Sequence, residues 1–248
     1  GFSGGRKAIM PGICGFETLK VLHGADAMAH EKAVEGIIEG NHFHEDILHV
    51  AKTVRVDFIL NVTLNERREI TGIFTGELEK AHMEGVRFME TQCVSTVDEP
   101  VDVVITTSAG FPLDLTFYQA IKGMTAAQGI VREGGVIIIA AKCAEGIGSP
   151  EFTRLMLETE SVDAFLTDIR KPGYHIVDQW QFQKFCIVLE KHEVWMYSDG
   201  IDHITQEKLF VTPLESVEQG LDRVLERFGE NARIAVIPEG PYVLAKLS

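Results

Sequence analysis

The sequence predicts an α/β protein: a Rossmann-like, doubly wound sheet domain preceded by a partial α/β lobe. Residues 101–107 form an unbroken, mostly β-branched run of the kind that parallel sheets bury on both faces. Strand-like and helix-like segments alternate after it, as in βαβ units. The polar run 95–100 marks a boundary. We therefore expect a lobe over residues 1–96, the doubly wound domain over 97–240 and a C-terminal tail over 241–248.

In the first part, helical spacing of apolar residues after a bend at Pro11-Gly12 predicts a short helix through Phe16, Leu19 and Leu22. Asn41 is a residue type that caps helix N-termini, so a helix is expected to follow it. The other elements expected here are a helix over 25–40, the Asn41-capped helix to about residue 50, a strand over 54–62, a turn at 65–67, a strand over 70–75 and a helix over 77–91.

In the second part, Ser149-Pro150 indicates a helix start, because proline suits the first helical position. The segment 214–228 has the clearest amphipathic helical pattern in the chain. The complete expected series is a strand over 101–107, a helix over 115–122, a strand over 136–141, the helix from Pro150, a helix over 177–189, short strands over 194–197 and 209–211, the helix over 214–228 and a strand over 233–237.

Composition excludes several classes of partner. The 248 residues hold 23 Lys and Arg against 37 Asp and Glu, a formal net charge of −14, which disfavours nucleic acids and anionic membranes. The four cysteines form no C-x-x-C pair, as is typical of a reducing cytosol. The aliphatic run 136–141 is too short to span a bilayer. We expect a cytoplasmic protein without nucleic-acid or membrane partners.

The opening segment combines three glycines (Gly1, Gly4 and Gly5) with Lys7, and His23 follows at the end of the first helix. Glycines let backbone amides approach an anion, lysine brings an amine, and histidine brings a neutral nitrogen ligand. The segment is neither a Walker motif nor a Rossmann fingerprint. On these grounds a site for a phosphorylated small molecule and a plain surface turn both remain open.

Further candidates follow the predicted parallel strands, because ligands bind beyond the carboxyl ends of such strands. The helix after loop 108–112 has an apolar face and places Tyr118, Gln119 and Lys122 together on the other face, where they could hold a carboxylate and a hydroxyl. A solvated helix face is the alternative. Loop 145–149 is a weak anion nest or a structural turn, and Trp180 is either a stacking residue or core.

Histidines invite a metal interpretation that we do not favour. The spacing of His42, His44 and His49 fits no standard zinc pattern, so a solvated helix start is the better interpretation. The remaining histidines, among them His30 and His82, are isolated in the sequence.

Three segments together resemble the nickel-dependent lactate racemase family. The first is the Gly-Phe-Ser-Gly-Gly-Arg-Lys run at residues 1–7, the second extends from 107–114 through 118–123, and the third is 142–148. In that family a lysine carries a covalently tethered nickel-pincer nucleotide, a nickel-bearing pyridinium mononucleotide, and a downstream histidine ligates the nickel. The resemblance places the tether at Lys7, with Gly4 and Gly5 beside it, and the nickel ligand at His23.

The resemblance also implies roles in the second part of the chain. Gln119 and Lys122 match the family's substrate-contacting glutamine and lysine, and Trp180 matches a tryptophan near the cofactor. Tyr118, on the same helix face, is expected to bind substrate with them. Lys7 must be unprotonated when the tether forms, and Arg6 beside it could bias the lysine or bind the cofactor phosphate. The family's substrate-anchoring arginine and catalytic histidines precede the opening run. We therefore expect no catalytic residue in this chain, and activity as a full-length protein.

The activity that the resemblance implies is racemisation or epimerisation of a small, lactate-like 2-hydroxy acid by hydride transfer to and from the cofactor. The first part of the chain would then complete the cofactor-tethering lobe, and the second would close over the substrate. Its partners would be the 2-hydroxy acid and the cofactor-synthesis enzymes. The alternatives are an enzyme on the same scaffold for a different 2-hydroxy acid, and a non-catalytic domain that binds a phosphorylated metabolite.

Overall fold

The computed structural model describes residues 4–65 and 67–248. The chain divides into an N-terminal unit, Gly1–Val94, and a C-terminal unit, Ser95–Ser248. Within the expected tail over 241–248, Leu244–Leu247 form a strand that pairs with Val94–Val97. Cross-strand hydrogen bonds thus attach the end of the chain to the C-terminal unit.

The N-terminal unit starts with a 3-10 turn, Gly5–Ala8, and then combines helices with an antiparallel hairpin. One hydrophobic cluster joins the longer helices to the first strand through Leu48, Ala51, Ile59, Leu78 and Ala81. The elements are α1 (Phe16–Leu22), α2 (Ala25–Ala29), α3 (His42–Thr53), β1 (Ile59–Leu64), β2 (Ile70–Gly76) and α4 (Leu78–Cys93).

Local signals account for part of this unit. The Asn41 side chain accepts a hydrogen bond from the Phe43 amide and begins α3, as predicted. The helix expected over 25–40 is wrong beyond Ala29, since Gly36 and Gly40 have positive φ angles that an α-helix does not contain. The first strand begins later than expected, after Arg55 in a left-handed conformation. Glu66 of the predicted turn, like residues 1–3 of the opening run, lies outside the described residues.

The C-terminal unit alternates strands and helices. Among the described residues of the whole chain, no helix is both long enough and apolar enough to cross a membrane. The elements are β3 (Val94–Val97), β4 (Val101–Thr107), α5 (Phe117–Ala127), β5 (Val131–Ala140), α6 (Pro150–Glu158), α7 (Val162–Asp168), α8 (Gln179–Leu189), β6 (Glu193–Tyr197), α9 (His203–Lys208), β7 (Thr212–Pro213), α10 (Val217–Phe228), β8 (Ile234–Ile237) and β9 (Leu244–Leu247).

Its centre is a five-stranded parallel sheet in the order β7-β6-β5-β4-β8. Consecutive residues of β5 meet helices on opposite faces. Ile138 lies under Gly220 of α10, whereas Ile139 lies under Gly123 of α5. The alternation of side chains along a strand therefore buries β5 on both faces. The predicted α/β class is confirmed, with helices on both sides of the parallel sheet.

One local expectation in this unit is wrong, and two short helices, α7 and α9, were not predicted. Residues 209–211 are not a strand; they follow α9, and Phe210 has a left-handed φ of 62° that no strand contains. The short helix α7, capped by Ser161, was not predicted at all. A helix this short does not contain enough turns for a helical period to be recognised in the sequence.

Substituting Gly123 tests the packing of α5 on the sheet. A Cβ there would lie 2.6 Å from the Thr107 carbonyl oxygen and 2.9 Å from Ile139 Cδ1. We expect Gly123→Ala to destabilise the C-terminal unit by about 1–3 kcal/mol, measured as faster hydrogen exchange in α5. Gly85→Ala in α4 is the control, because its Cβ would meet Phe74 at an ordinary 3.4 Å and alanine favours helix. Equal effects at both sites would contradict this packing.

Candidate functional site

Lys7 lies in the 3-10 turn Gly5–Ala8, and its side chain is exposed. The turn follows two glycines with positive φ angles, 134° at Gly4 and 31° at Gly5. A Cβ at Gly4 would lie 2.9 Å from the Asn61 side chain, and one at Gly5 would lie 2.7 Å from Ile59. The two glycines are therefore required for the turn to approach β1 this closely.

The Gly5 amide is engaged within the protein. It donates a 2.8 Å hydrogen bond to Oδ1 of Asn61 on β1. One interpretation of the sequence was that the glycine amides bind an anion. In the structure the Gly5 amide instead holds the turn on β1, and the Lys7 amine projects outward from the turn.

His23 is half-buried at the C-terminal end of α1. Its Nδ1 lies 3.3 Å from the Leu19 carbonyl oxygen, so Nδ1 carries the hydrogen and Nε2 carries the lone pair. Burial lowers the pKa of His23, the Leu19 carbonyl opposes this, and the charge of Lys7 lowers the pKa further. The imidazole is thus held in the neutral form that a metal ligand requires, within electrostatic range of Lys7.

Arg6 was expected to act on Lys7 or to bind the cofactor phosphate, but its contact in the structure is with another residue. It is only 6% exposed, and its Nη1 hydrogen-bonds Nε2 of His82 on α4. Burial lowers the pKa of the guanidinium to about 10. Arg6 therefore points into the N-terminal unit while its neighbour Lys7 points outward, and the arginine anchors the turn.

The histidines are not the solvated, isolated residues that the sequence suggested. His44 stacks on His82 with ring centroids 5.8 Å apart, and His42 meets His30 edge-on at 4.9 Å. His49 alone of the three in α3 is exposed, as expected. Burial, followed by the charge of Arg6, lowers the pKa of His44. The pairing partners are distant in sequence, which is why spacing did not reveal them.

The described residues contain no group of three or more His, Cys, Asp or Glu side chains that could hold a metal ion. His23 is a single nitrogen ligand. A metal bound there would need its other donor atoms from a bound molecule, because divalent nickel and copper sites take several ligands.

The α5 candidates lie where the spacing predicted. Phe117, Ala120, Ile121 and Met124 are fully buried, which leaves Tyr118 and Gln119 half-buried and Lys122 exposed on the other side. Thr116 caps the helix by accepting from the Gln119 amide. The alternative of a fully solvated face is wrong for Tyr118 and Gln119.

The side-chain carbonyl oxygen of Gln119 is a buried acceptor. This oxygen, Oε1, accepts no hydrogen bond from the described residues. A buried acceptor without a donor costs roughly 1–3 kcal/mol, so such an atom in a native protein calls for an explanation. A donor supplied by a bound molecule, such as a hydroxyl, would satisfy it.

Trp180 in the first turn of α8 is half-buried, and its indole N–H donates to the Tyr118 hydroxyl at 3.1 Å. The accepting oxygen keeps its own hydrogen to donate elsewhere. Burial raises the pKa of Tyr118, and the bond from Trp180 opposes this, so the phenol stays protonated near neutral pH. The structure thus joins two candidates that lie 62 positions apart in sequence.

Loop 145–149 makes structural hydrogen bonds within the C-terminal unit. The Glu145 and Gly146 amides donate to Leu115 and Cys143, and the carbonyls of Gly146 and Ile147 accept from the first amides of α5. The loop therefore holds the start of α5, which carries Tyr118 and Gln119. The amides of Glu145 and Gly146 are thus engaged by the protein itself, which favours the structural turn over an anion nest at these two residues.

Comparison with known proteins agrees with the three segments described from sequence. The model of the lactate racemase C-terminal domain matches residues 96–245, and that of the lactate racemase N-terminal domain matches residues 1–36. Curated lactate racemases from Thermoanaerobacterium thermosaccharolyticum and Lactiplantibacillus plantarum are each 35% identical over 99% of this chain. The chain spans 58% of the length of each.

Solved structures extend the comparison to three dimensions. The lactate racemase apoprotein from Thermoanaerobacterium thermosaccharolyticum superimposes with a TM-score of 0.92 at 34% identity, over 98% of this chain and 59% of that one. A structural-genomics crystal structure of a Thermotoga maritima protein superimposes with a TM-score of 0.72 at 17% identity, over 99% of this chain and 63% of that one. At this identity the similarity supports the fold alone. With a family model matching more than half of its residues and this agreement in structure, the chain belongs to the lactate racemase family.

Proposed function

We propose that the full-length protein containing this chain racemises a small, lactate-like 2-hydroxy acid by reversible hydride transfer, using a nickel-pincer nucleotide tethered to Lys7. The observation that carries the proposal is the pairing of an exposed amine with a neutral imidazole in the N-terminal unit. Lys7 projects from a turn anchored to β1 and α4, and its charge reaches His23.

The residues present fit the implied group. The single ligand His23 cannot by itself hold nickel, but the pincer nucleotide would bring sulfur and carbon donors of its own, and His23 would add the imidazole nitrogen. The amine of Lys7 is exposed and so accessible for covalent attachment. The chemistry that the bound group supplies is reversible acceptance of a hydride from the substrate Cα.

Within the N-terminal unit, the roles of the chain's own residues follow from their geometry. Lys7 attaches the group, and the bonds of Gly5 to Asn61 and of Arg6 to His82 hold the turn in place. The Leu19 carbonyl fixes the His23 tautomer that keeps a lone pair on Nε2. Phe43 packs against the imidazole with ring centroids 5.7 Å apart and restricts its rotation.

Within the C-terminal unit, α5 provides complementary groups for a hydroxy acid. We assign the carboxylate of the acid to the Lys122 ammonium and to the Tyr118 hydroxyl, which donates while it accepts from Trp180. We assign the substrate hydroxyl to the buried Oε1 of Gln119, to which no residue of the described ranges donates a hydrogen bond. The aromatic ring of Trp180 would shield the reacting carbon from water.

The test uses the full-length protein co-expressed with the cofactor-synthesis enzymes. We expect an intact-mass increase localised to Lys7, stoichiometric nickel, and conversion of either pure lactate enantiomer to the racemic mixture, followed by chiral chromatography. Binding of a phosphorylated metabolite without turnover, added mass or nickel would overturn the proposal. A panel of 2-hydroxy acids in the same assay then identifies the preferred substrate.

A further inference from the structure

Ser149 makes one hydrogen bond more than helix capping requires. Its Oγ begins α6 by accepting from the Phe152 amide at 3.3 Å, and the same hydroxyl donates to Oδ2 of Asp178 at 2.7 Å. Ser161 begins α7 with the corresponding amide bond alone among the hydrogen bonds of the described residues. Ser149 thus connects the start of α6 to the residue that begins α8.

Asp178, at the start of α8, has an unusual backbone conformation and an unusual side-chain contact. It has a left-handed backbone, with φ 66° and ψ 6°, and its carboxylate does not cap its own helix. Asp202, at the start of α9, caps in the ordinary way by accepting from the Thr205 amide. A left-handed non-glycine residue persists where its surroundings hold it. The bond from Ser149 is the side-chain contact described for Asp178.

The two helices joined in this way both contact Tyr118. Phe152, in the first turn of α6, meets the Tyr118 ring edge-on with centroids 5.2 Å apart at 84°. Trp180, in the first turn of α8, donates to the Tyr118 hydroxyl. The distance between the two helix starts therefore determines whether Tyr118 can make both contacts at once.

We propose that Ser149 and Asp178 are positioning residues, whose hydrogen bond holds the starts of α6 and α8 so that Phe152 and Trp180 both contact Tyr118. Neither residue need touch substrate. The consequence for substrate binding rests on the proposed function of Tyr118, whereas the placement of Trp180 does not. Asp178 also acts on Tyr118 electrostatically, since after burial its charge further raises the pKa of the phenol.

Tryptophan fluorescence of the chain without cofactor tests the placement directly. The chain has two tryptophans, so a Trp195→Phe background isolates the emission of Trp180. We expect Ser149→Ala to shift this emission to the red and to raise its quenching by acrylamide, because the indole loses its bond to Tyr118. If Trp195→Phe folds poorly, subtracting the spectrum of a matched Trp180→Phe protein provides the same signal.

Control variants separate positioning from stability. Ser161→Ala removes a cap of the same kind and is expected to leave the Trp180 emission unchanged. Asp178→Asn keeps an acceptor oxygen and tolerates the left-handed backbone, so the wild-type spectrum should be retained. Asp178→Gly relieves the backbone strain but removes the acceptor, so the emission should shift without matching loss of thermal stability. Unchanged emission in Ser149→Ala and Asp178→Gly would overturn the proposal.

Steady-state kinetics of the loaded full-length protein extend the test to substrate. We expect Ser149→Ala to raise the KM for lactate about tenfold, the loss that corresponds to roughly one hydrogen bond, with a smaller change in kcat. Ser161→Ala should leave both constants unchanged. A shifted emission with unchanged kinetics would confirm the placement of Trp180 and contradict the substrate role proposed for Tyr118.

Discussion

Lys7→Ala is expected to abolish both the covalent cofactor and the racemase activity of the full-length protein. Alanine has no amine, so the covalent bond that we propose between the cofactor and position 7 cannot form. Intact mass should equal that of the unmodified polypeptide, nickel should fall to background, and lactate racemisation should fall to that of a preparation made without cofactor-synthesis enzymes. The fold should persist, because the Lys7 side chain is exposed.

Two further variants make this result specific. Lys7→Arg keeps a cation at the position but offers a guanidinium that does not replace the amine, so we expect the same loss. Lys20→Ala removes a surface lysine of α1 that pairs with Glu17 at 3.2 Å, and it should retain mass, nickel and activity. Full nickel content and activity in Lys7→Ala would refute the tether.

Gln119→Met is expected to weaken substrate binding while stabilising the protein without ligand. Methionine is similar in volume and removes the buried Oε1 that accepts no hydrogen bond. Loss of that orphaned acceptor should raise the free energy of unfolding by about 1 kcal/mol, measured by urea titration of tryptophan fluorescence. The KM for lactate should rise about tenfold or more, because the substrate hydroxyl loses its acceptor.

The opposite signs of these two effects are the informative result. Gln206→Met is the matched control, since Gln206 of α9 also has a buried Oε1 without a partner while its amide nitrogen donates to the Ile201 carbonyl. That substitution should lower stability through the lost donor and leave the KM unchanged. A Gln119→Met protein that is less stable with an unaltered KM would show that the amide serves packing and does not bind substrate.

Interactions between near neighbours in sequence were predictable. Asn41 begins α3, Ser149 and Pro150 begin α6, and the segment 101–107 is a buried parallel strand, as expected. The face of α5 that carries Tyr118 and Gln119 followed from helical spacing. Each of these features depends on a cap, a period or a β-branched run that is complete within about a dozen residues.

Errors arose where local signals were weak or misleading. The pattern 25–40 has helical composition, yet Gly36 and Gly40 adopt positive φ angles and the helix ends at Ala29. Residues 209–211 are rich in strand-forming types, but Phe210 is left-handed and the strand comes later. Backbone conformations of this kind depend on the packing around the segment, which a single sequence does not display.

The candidate site shows the same division between local and long-range information. Sequence alone offered Lys7, His23 and the polar side of α5 as candidates, because each belongs to a short segment with its own chemistry. Only the tertiary structure showed that Arg6 binds His82, 76 positions away, and that Trp180 binds Tyr118. Such contacts arise when distant helices pack against one another, and no periodicity along the chain encodes which side chains will then meet.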